Sequence, residues 1–148
     1  MRTSEQGRDF IKGFEKLRLK AYPDPGTGGK PWTIGWGHTK GVKPGDRITQ
    51  EQAEAFFSED LAVFELTINS AIKRPMTQNQ FDAMVSLAFN IGGSAFAGST
   101  LAKKFNAGDI KGAADQFPRQ KIGVVTYNIA TGELAELGYV FTANDIET

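Results

Sequence analysis

The chain has 148 residues, enough for one domain with a genuine core but not for two independent ones. Lys plus Arg and Asp plus Glu each number 17, so no strong field draws the chain onto nucleic acid or an anionic membrane. Cysteine is absent, which excludes disulfides, thiolate metal sites and cysteine nucleophiles.

The opening residues contain no apolar core, and no stretch approaches the roughly 18 consecutive apolar residues of a membrane span. Folding in the cytoplasm without stable membrane insertion is expected. Charge is uneven along the chain: a mildly basic body precedes an acidic tail containing Glu133, Glu136, Asp145 and Glu147, where no cation follows Lys121.

Ser4 suits a helix N-cap, and Phe10, Ile11, Phe14 and Leu17 recur at helical spacing, which predicts a first helix ending near Glu15 to Leu17. Pro23, Pro25 and the glycines from Gly26 onward stop any helix. Trp32, Ile34 and Trp36 alternate with Thr33, Gly35 and Gly37, the pattern of a strand in a small hairpin or meander. Gly41 to Gly45 is another turn.

Thr49 with Gln52 forms a capping-box pattern, and Ala53, Phe56, Phe57, Leu61, Phe64 and Ile68 extend it as a long helix ending near Lys73. Thr77 with Gln80 repeats the signature ahead of a largely apolar, central helix stopped by Gly92-Gly93. Shorter helices are predicted from about Thr100 to Asn106, and from an Asp109 N-cap to Phe117. Beyond Lys121, the apolar residues on either side of Thr131-Gly132 suggest a β-hairpin, with a short helical turn at Leu134 to Leu137 as the alternative.

Two carboxylates in contrasting settings are the usual equipment for breaking a glycosidic bond. Glu15, at a helix end among apolar neighbours, suits a proton donor; a solvated helix-end glutamate is the plain alternative. Asp24, between Pro23 and Pro25, suits a hydrated carboxylate that orients water, although Asp is also ordinary in such turns. Thr33 suits a water-holding hydroxyl, or simply a β-branched strand residue. Phe89 and Asn90 offer the aromatic and amide that an N-acetylated sugar can contact, or else core packing and a helix end. His38, the only histidine, reads as structural, and no metal site is expected. Gly26, Gly28 and Gly29 lack the Lys-Ser/Thr and helix of a phosphate loop. The cluster Lys16, Arg18, Lys20 lacks the extended basic surface of a nucleic-acid binder.

Taken together, Glu15, Leu17-Arg18-Leu19-Lys20-Ala21-Tyr22, Asp24 and Trp32-Thr33-Ile34-Gly35-Trp36-Gly37-His38 resemble the pattern of the phage lysozymes, or endolysins, of the lambdoid and T-even type. Gln78-Asn79-Gln80-Phe81-Asp82-Ala83, Phe89-Asn90-Ile91-Gly92 and Phe96-Ala97-Gly98-Ser99-Thr100 resemble that family's later signatures. The resemblance implies an α+β, lysozyme-like domain. It would comprise a lobe of residues 12–60 with a small antiparallel sheet, a helical lobe of 61–118 plus 1–11, and an atypical tail at 119–148.

It further implies an inverting muramidase that cuts the β-1,4 bond between N-acetylmuramic acid and N-acetylglucosamine in peptidoglycan. Glu15 would protonate the glycosidic oxygen, Asp24 and Thr33 would position the attacking water, and Phe89 and Asn90 would line the saccharide cleft. No metal or organic cofactor is implied, and the partners are peptidoglycan glycan strands rather than nucleic acid, met by a monomer. The protein would wait in the host cytoplasm and reach the periplasm and wall once the membrane is permeabilised. The tail departs from the family: Gln120 stands where a tryptophan is expected, and the arginine-rich final helix has no counterpart. A lysozyme-like wall binder with weakened or lost catalysis is therefore the alternative function, and a lytic transglycosylase, needing the Glu alone, a third.

Overall fold

The computed structural model describes residues 1–116; the expected hairpin and the rest of the tail lie outside them. Six helices and a two-stranded sheet follow in the order α1 (Glu5–Glu15), β1 (Arg18–Tyr22), β2 (Thr33–Gly35), α2 (Gln50–Ala71), α3 (Gln78–Ile91), α4 (Gly93–Ala97), α5 (Thr100–Asn106) and α6 (Ile110–Ala114). The described residues divide into two compact units, one of Lys12–Ala62 and one of Met1–Ile11 with residues 63–116. Mostly helical structure with one small antiparallel sheet among the described residues is the expected α+β class.

In the unit that begins at Met1, α3 is the centre. Every residue from Gln80 to Ala88 is buried, as its all-round apolarity requires. Its start is fixed by the full capping box: Gln80 N–H donates to the Thr77 hydroxyl (3.1 Å), and Thr77 N–H donates to Gln80 Oε1 (2.8 Å). Phe96, Leu101 and Phe105 from α4 and α5 complete the buried apolar set.

Asp82, only 2 % exposed, anchors the first residues. Its carboxylate accepts from the Ser4 amide (3.0 Å), the Ser4 hydroxyl and Gln78 Nε2 (2.9 Å). Ser4 in turn caps α1, accepting from Gly7 N–H at 3.1 Å. The cap role of Ser4 is legible from its local pattern, whereas Asp82, 78 residues away, carries no mark of holding it.

In the Lys12–Ala62 unit, β1 and β2 pair antiparallel, with Tyr22 opposite Thr33 and Arg18 opposite Gly35. Residues 46–48 run along the other edge of β1 through Ala21 N–H to the Asp46 carbonyl and Ile48 N–H to the Leu19 carbonyl, each 2.9 Å. Thr49 and Gln52 cap α2 as their spacing predicts, with reciprocal bonds of 3.1 and 2.8 Å.

Four features differ from expectation. Strand β1 lies outside the predicted elements, because Arg18 and Lys20 mask its alternation as a charge cluster. The Trp32–Trp36 strand is shorter: β2 stops at Gly35, and Ile34 and His38 exchange both backbone hydrogen bonds (2.8 and 2.9 Å) around a three-residue loop. Gly92 does stop α3, but it also caps α4, and α6 ends at Ala114 rather than Phe117.

Candidate active site

Glu15 is the last residue of α1. Lys16 follows in the left-handed region (φ 48°), closes a helical bond to the Lys12 carbonyl at 3.1 Å, and turns the chain into β1. Lys12, one turn before Glu15, is gripped by Glu54 of α2 and sits 4.3 Å above the Trp36 ring. The end of α1 is thereby seated on the loop that joins β2 to His38.

That loop has a shape that favours glycine. Gly35 and Gly37 hold φ values of 64° and 77°, and a Cβ built on Gly37 would lie 2.6 Å from Glu15 Oε2. The Glu15 carboxyl group therefore rests against bare backbone. Removal of water there raises its pKa above the ordinary carboxylate value, the direction that keeps a proton for donation.

Tyr22 records the same charge from the strand side. Burial raises the pKa of its hydroxyl first, the nearby Glu15 carboxylate adds to the rise, and Arg18 opposes it. The Arg18 guanidinium lies 4.8 Å from the Tyr22 ring centre. Since Tyr22 and Thr33 are directly opposed, their side chains share one face of the sheet.

Asp24 begins the turn two residues beyond Tyr22. Its amide donates to the Gly29 carbonyl (2.9 Å), while its own carbonyl accepts from Gly28 (2.8 Å) and Thr27 (3.2 Å). With the backbone closed in this way, the half-buried carboxylate stays free of the turn's own bonding and lies over Gly26, where a Cβ would come within 3.3 Å of Oδ2. The Thr33 hydroxyl donates to the Pro31 carbonyl at 3.2 Å, which leaves its lone pairs free to accept from water.

Glu15, Asp24 and Thr33 thus belong to one compact unit, in which Thr33 is paired with Tyr22 across the sheet. Phe89 and Asn90 belong to the other unit, at the last turn of α3, where half-buried Phe89 packs on Phe64 with ring centres 5.2 Å apart and Asn90 is exposed.

His38 is buried, as a structural histidine should be, and it has a carboxylate partner that the sequence did not reveal. Its Nδ1 bonds both oxygens of Asp60 on α2 (2.9 and 3.1 Å), and its ring stacks on Phe56 at 4.3 Å. Burial raises the Asp60 pKa, an effect the His38 contact opposes. Gly37 is the other residue that sequence reasoning passed over. A glycine between a buried aromatic and a buried histidine was the available signal, but what it approaches is distant in the chain.

The family model described as phage lysozyme matches residues 12–133. The endolysin of Acyrthosiphon pisum secondary endosymbiont phage 1 is 54% identical over 117 residues, which cover 79% of this chain and 78% of that protein. The endolysin of Bacillus phage PZA is 45% identical over 120 residues, covering 80% of this chain but 46% of that longer protein. Among solved structures, a variant of the lysozyme of phage P22 superposes with a TM-score of 0.71 at 43% identity, covering 83% of this chain and 86% of that one.

Proposed function

The chain belongs to the phage lysozyme family, and from that premise we propose that it is a muramidase which hydrolyses the β-1,4 bond between N-acetylmuramic acid and N-acetylglucosamine with inversion. A cell-wall hydrolase of the endolysin type is what this family membership makes it. The finer assignment rests on one observation above all: the Glu15 carboxyl group sits desolvated against the bare backbone of Gly37.

In the proposed reaction, Glu15 donates its proton to the glycosidic oxygen as the bond to the anomeric carbon breaks. Water attacks that carbon from the opposite face, held by the Thr33 hydroxyl, and loses its proton to Asp24. The Asp24 turn supports this role because its backbone bonds are internally satisfied and do not engage the half-buried carboxylate. Phe89 and Asn90 would contact the saccharide, the aromatic face against a sugar ring and the amide with an N-acetyl group.

No helix among the described residues is long and apolar enough to cross a membrane. The proposed route is accumulation of a monomer in the host cytoplasm, followed by access to the wall when the inner membrane is permeabilised.

The decisive experiment compares the wild-type chain with Glu15→Gln on purified peptidoglycan. The wild type should release new reducing ends and the variant should lose at least about a thousandfold in rate while remaining folded, since an acid held for the transition state has no substitute. Unreduced activity in the variant would overturn the assignment. Anhydro-muramyl products would indicate a transglycosylase, and wall binding by the wild type without bond cleavage would indicate the non-cleaving alternative.

A further inference from the structure

Between Lys16 and Ile48 seven cations stand against two carboxylates, Asp24 and Asp46. The excess is concentrated along β1. A groove of about 550 Å³ runs there, lined by Leu17 to Tyr22 together with Arg47 and Ile48. Lys20 and Arg47 are opposed across the edge of β1, a like-charge pairing that works against the sheet unless an anion sits between them. Among the described residues, no carboxylate pairs with Arg18, Lys20 or Arg47. Asp46, the nearest acid in sequence, accepts from the Lys43 amide at 2.8 Å within its own turn.

The groove is not uniformly polar. Leu17, Leu19, Ala21 and Ile48 supply apolar wall, with Leu19 as much as 42 % exposed. Cations above an apolar wall suit a ligand that alternates carboxylates with methyl and methylene groups, and they suit a bare phosphate chain less well. The groove ends at Tyr22, which is paired with Thr33 across the sheet, so whatever lies along β1 adjoins a residue of the proposed site of cleavage.

We propose that this groove binds the carboxylate-bearing stem peptides of peptidoglycan, which branch from the muramic acid residues of the glycan strand that the muramidase cuts. The proposal rests on the muramidase reading for its substrate. Arg18, steadied on the Tyr22 ring, faces the peptide near its attachment to the sugar, and Lys20 with Arg47 takes carboxylates further along. Alanine methyls and the diamino-acid methylenes pack on Leu19 and Ile48. Discrimination follows for peptide-bearing wall over naked glycan.

The test uses the double variant Lys20→Glu/Arg47→Glu, both positions being exposed. Co-sedimentation is measured on intact sacculi and on sacculi stripped of stem peptides by an amidase. Wild-type chain should bind intact sacculi about tenfold more tightly than stripped ones, the scale of one or two charge-assisted hydrogen bonds, and the variant should bind both alike. Equal weakening on both substrates, or no weakening on either, would overturn the proposal. So would equal loss of binding to phosphatidylglycerol vesicles, which would assign the groove to a lipid surface. Release of reducing ends from the stripped glycan by wild-type chain reports on the muramidase reading separately, because that substrate cannot occupy the groove.

Discussion

Glu15 Oε2 occupies the space next to Gly37 in which any larger residue would place its first side-chain atom, at 2.6 Å. Gly37→Ala therefore acts on catalysis through position rather than chemistry. The carboxylate is the end of a flexible side chain and can swing aside, so the fold survives, at a cost of about 1–2 kcal/mol for an alanine held at φ 77°. The displaced acid no longer meets the glycosidic oxygen. We expect a loss of about a hundredfold in kcat with little change in KM, measured on soluble glycan fragments. A variant with unchanged kcat would show that the Glu15 seat is irrelevant to turnover.

Burial of Glu15 also predicts how stability depends on pH. A carboxyl group whose pKa is raised on folding favours the native state while protonated. That contribution is fully present below the unfolded pKa and is lost as pH rises through the higher, folded value. At neutral pH the charged Glu15 thus works against folding, and Glu15→Gln should raise Tm by roughly 1–3 °C at pH 7. Below pH ~4 the gain should vanish, because both chains then carry a neutral group. Thermal scans at the two pH values check the sign, and a variant less stable at pH 7 would contradict it.

Activity should carry the same signature. The alkaline limb of the kcat profile lies above the ordinary carboxylate range, since the proton must still be on Glu15 for the leaving oxygen to receive it. In Gly37→Ala, with the carboxylate pushed toward water, this limb should move to lower pH. A limb unmoved by that substitution would place the titrating acid elsewhere.

Asp60 supports the site without touching it. Asp60→Ala leaves the Nδ1 proton of buried His38 without its acceptor, a loss of about 1–3 kcal/mol in urea unfolding. Asp60→Asn retains an accepting oxygen and should lose well under half as much. Equal destabilisation by both variants would argue that packing on α2, rather than the hydrogen bond, is what matters there.

Much of this was legible before any coordinates. The capping pairs Thr49/Gln52 and Thr77/Gln80 announce α2 and α3 because a cap is a local bargain between residues three apart. Glu15, Asp24 and Thr33, proposed here for catalysis, stand out in the sequence for a similar reason, each sitting in a short segment with its own pattern. Strand β1 was missed because alternation over Leu17 to Tyr22 competes with a conspicuous run of cations. Helix α4 is not legible because Gly92-Gly93 carries the signal of a stop, whereas one glycine ends α3 and opens α4. The partnerships Glu15 with Gly37, His38 with Asp60 and Ser4 with Asp82 were out of reach, since no local rule links residues that far apart.

The reciprocal bonds between Ile34 and His38 make Gly35-Trp36-Gly37 a closed ring of backbone, and Asp60 grips that ring by its histidine corner. The strength of the acid at position 15 is consequently adjustable from the second helix of the chain. Substitutions that loosen the grip would let solvent reach Glu15 and make it a stronger acid, so natural or engineered change around Phe56 and Asp60 offers a remote dial on the pH at which the enzyme works.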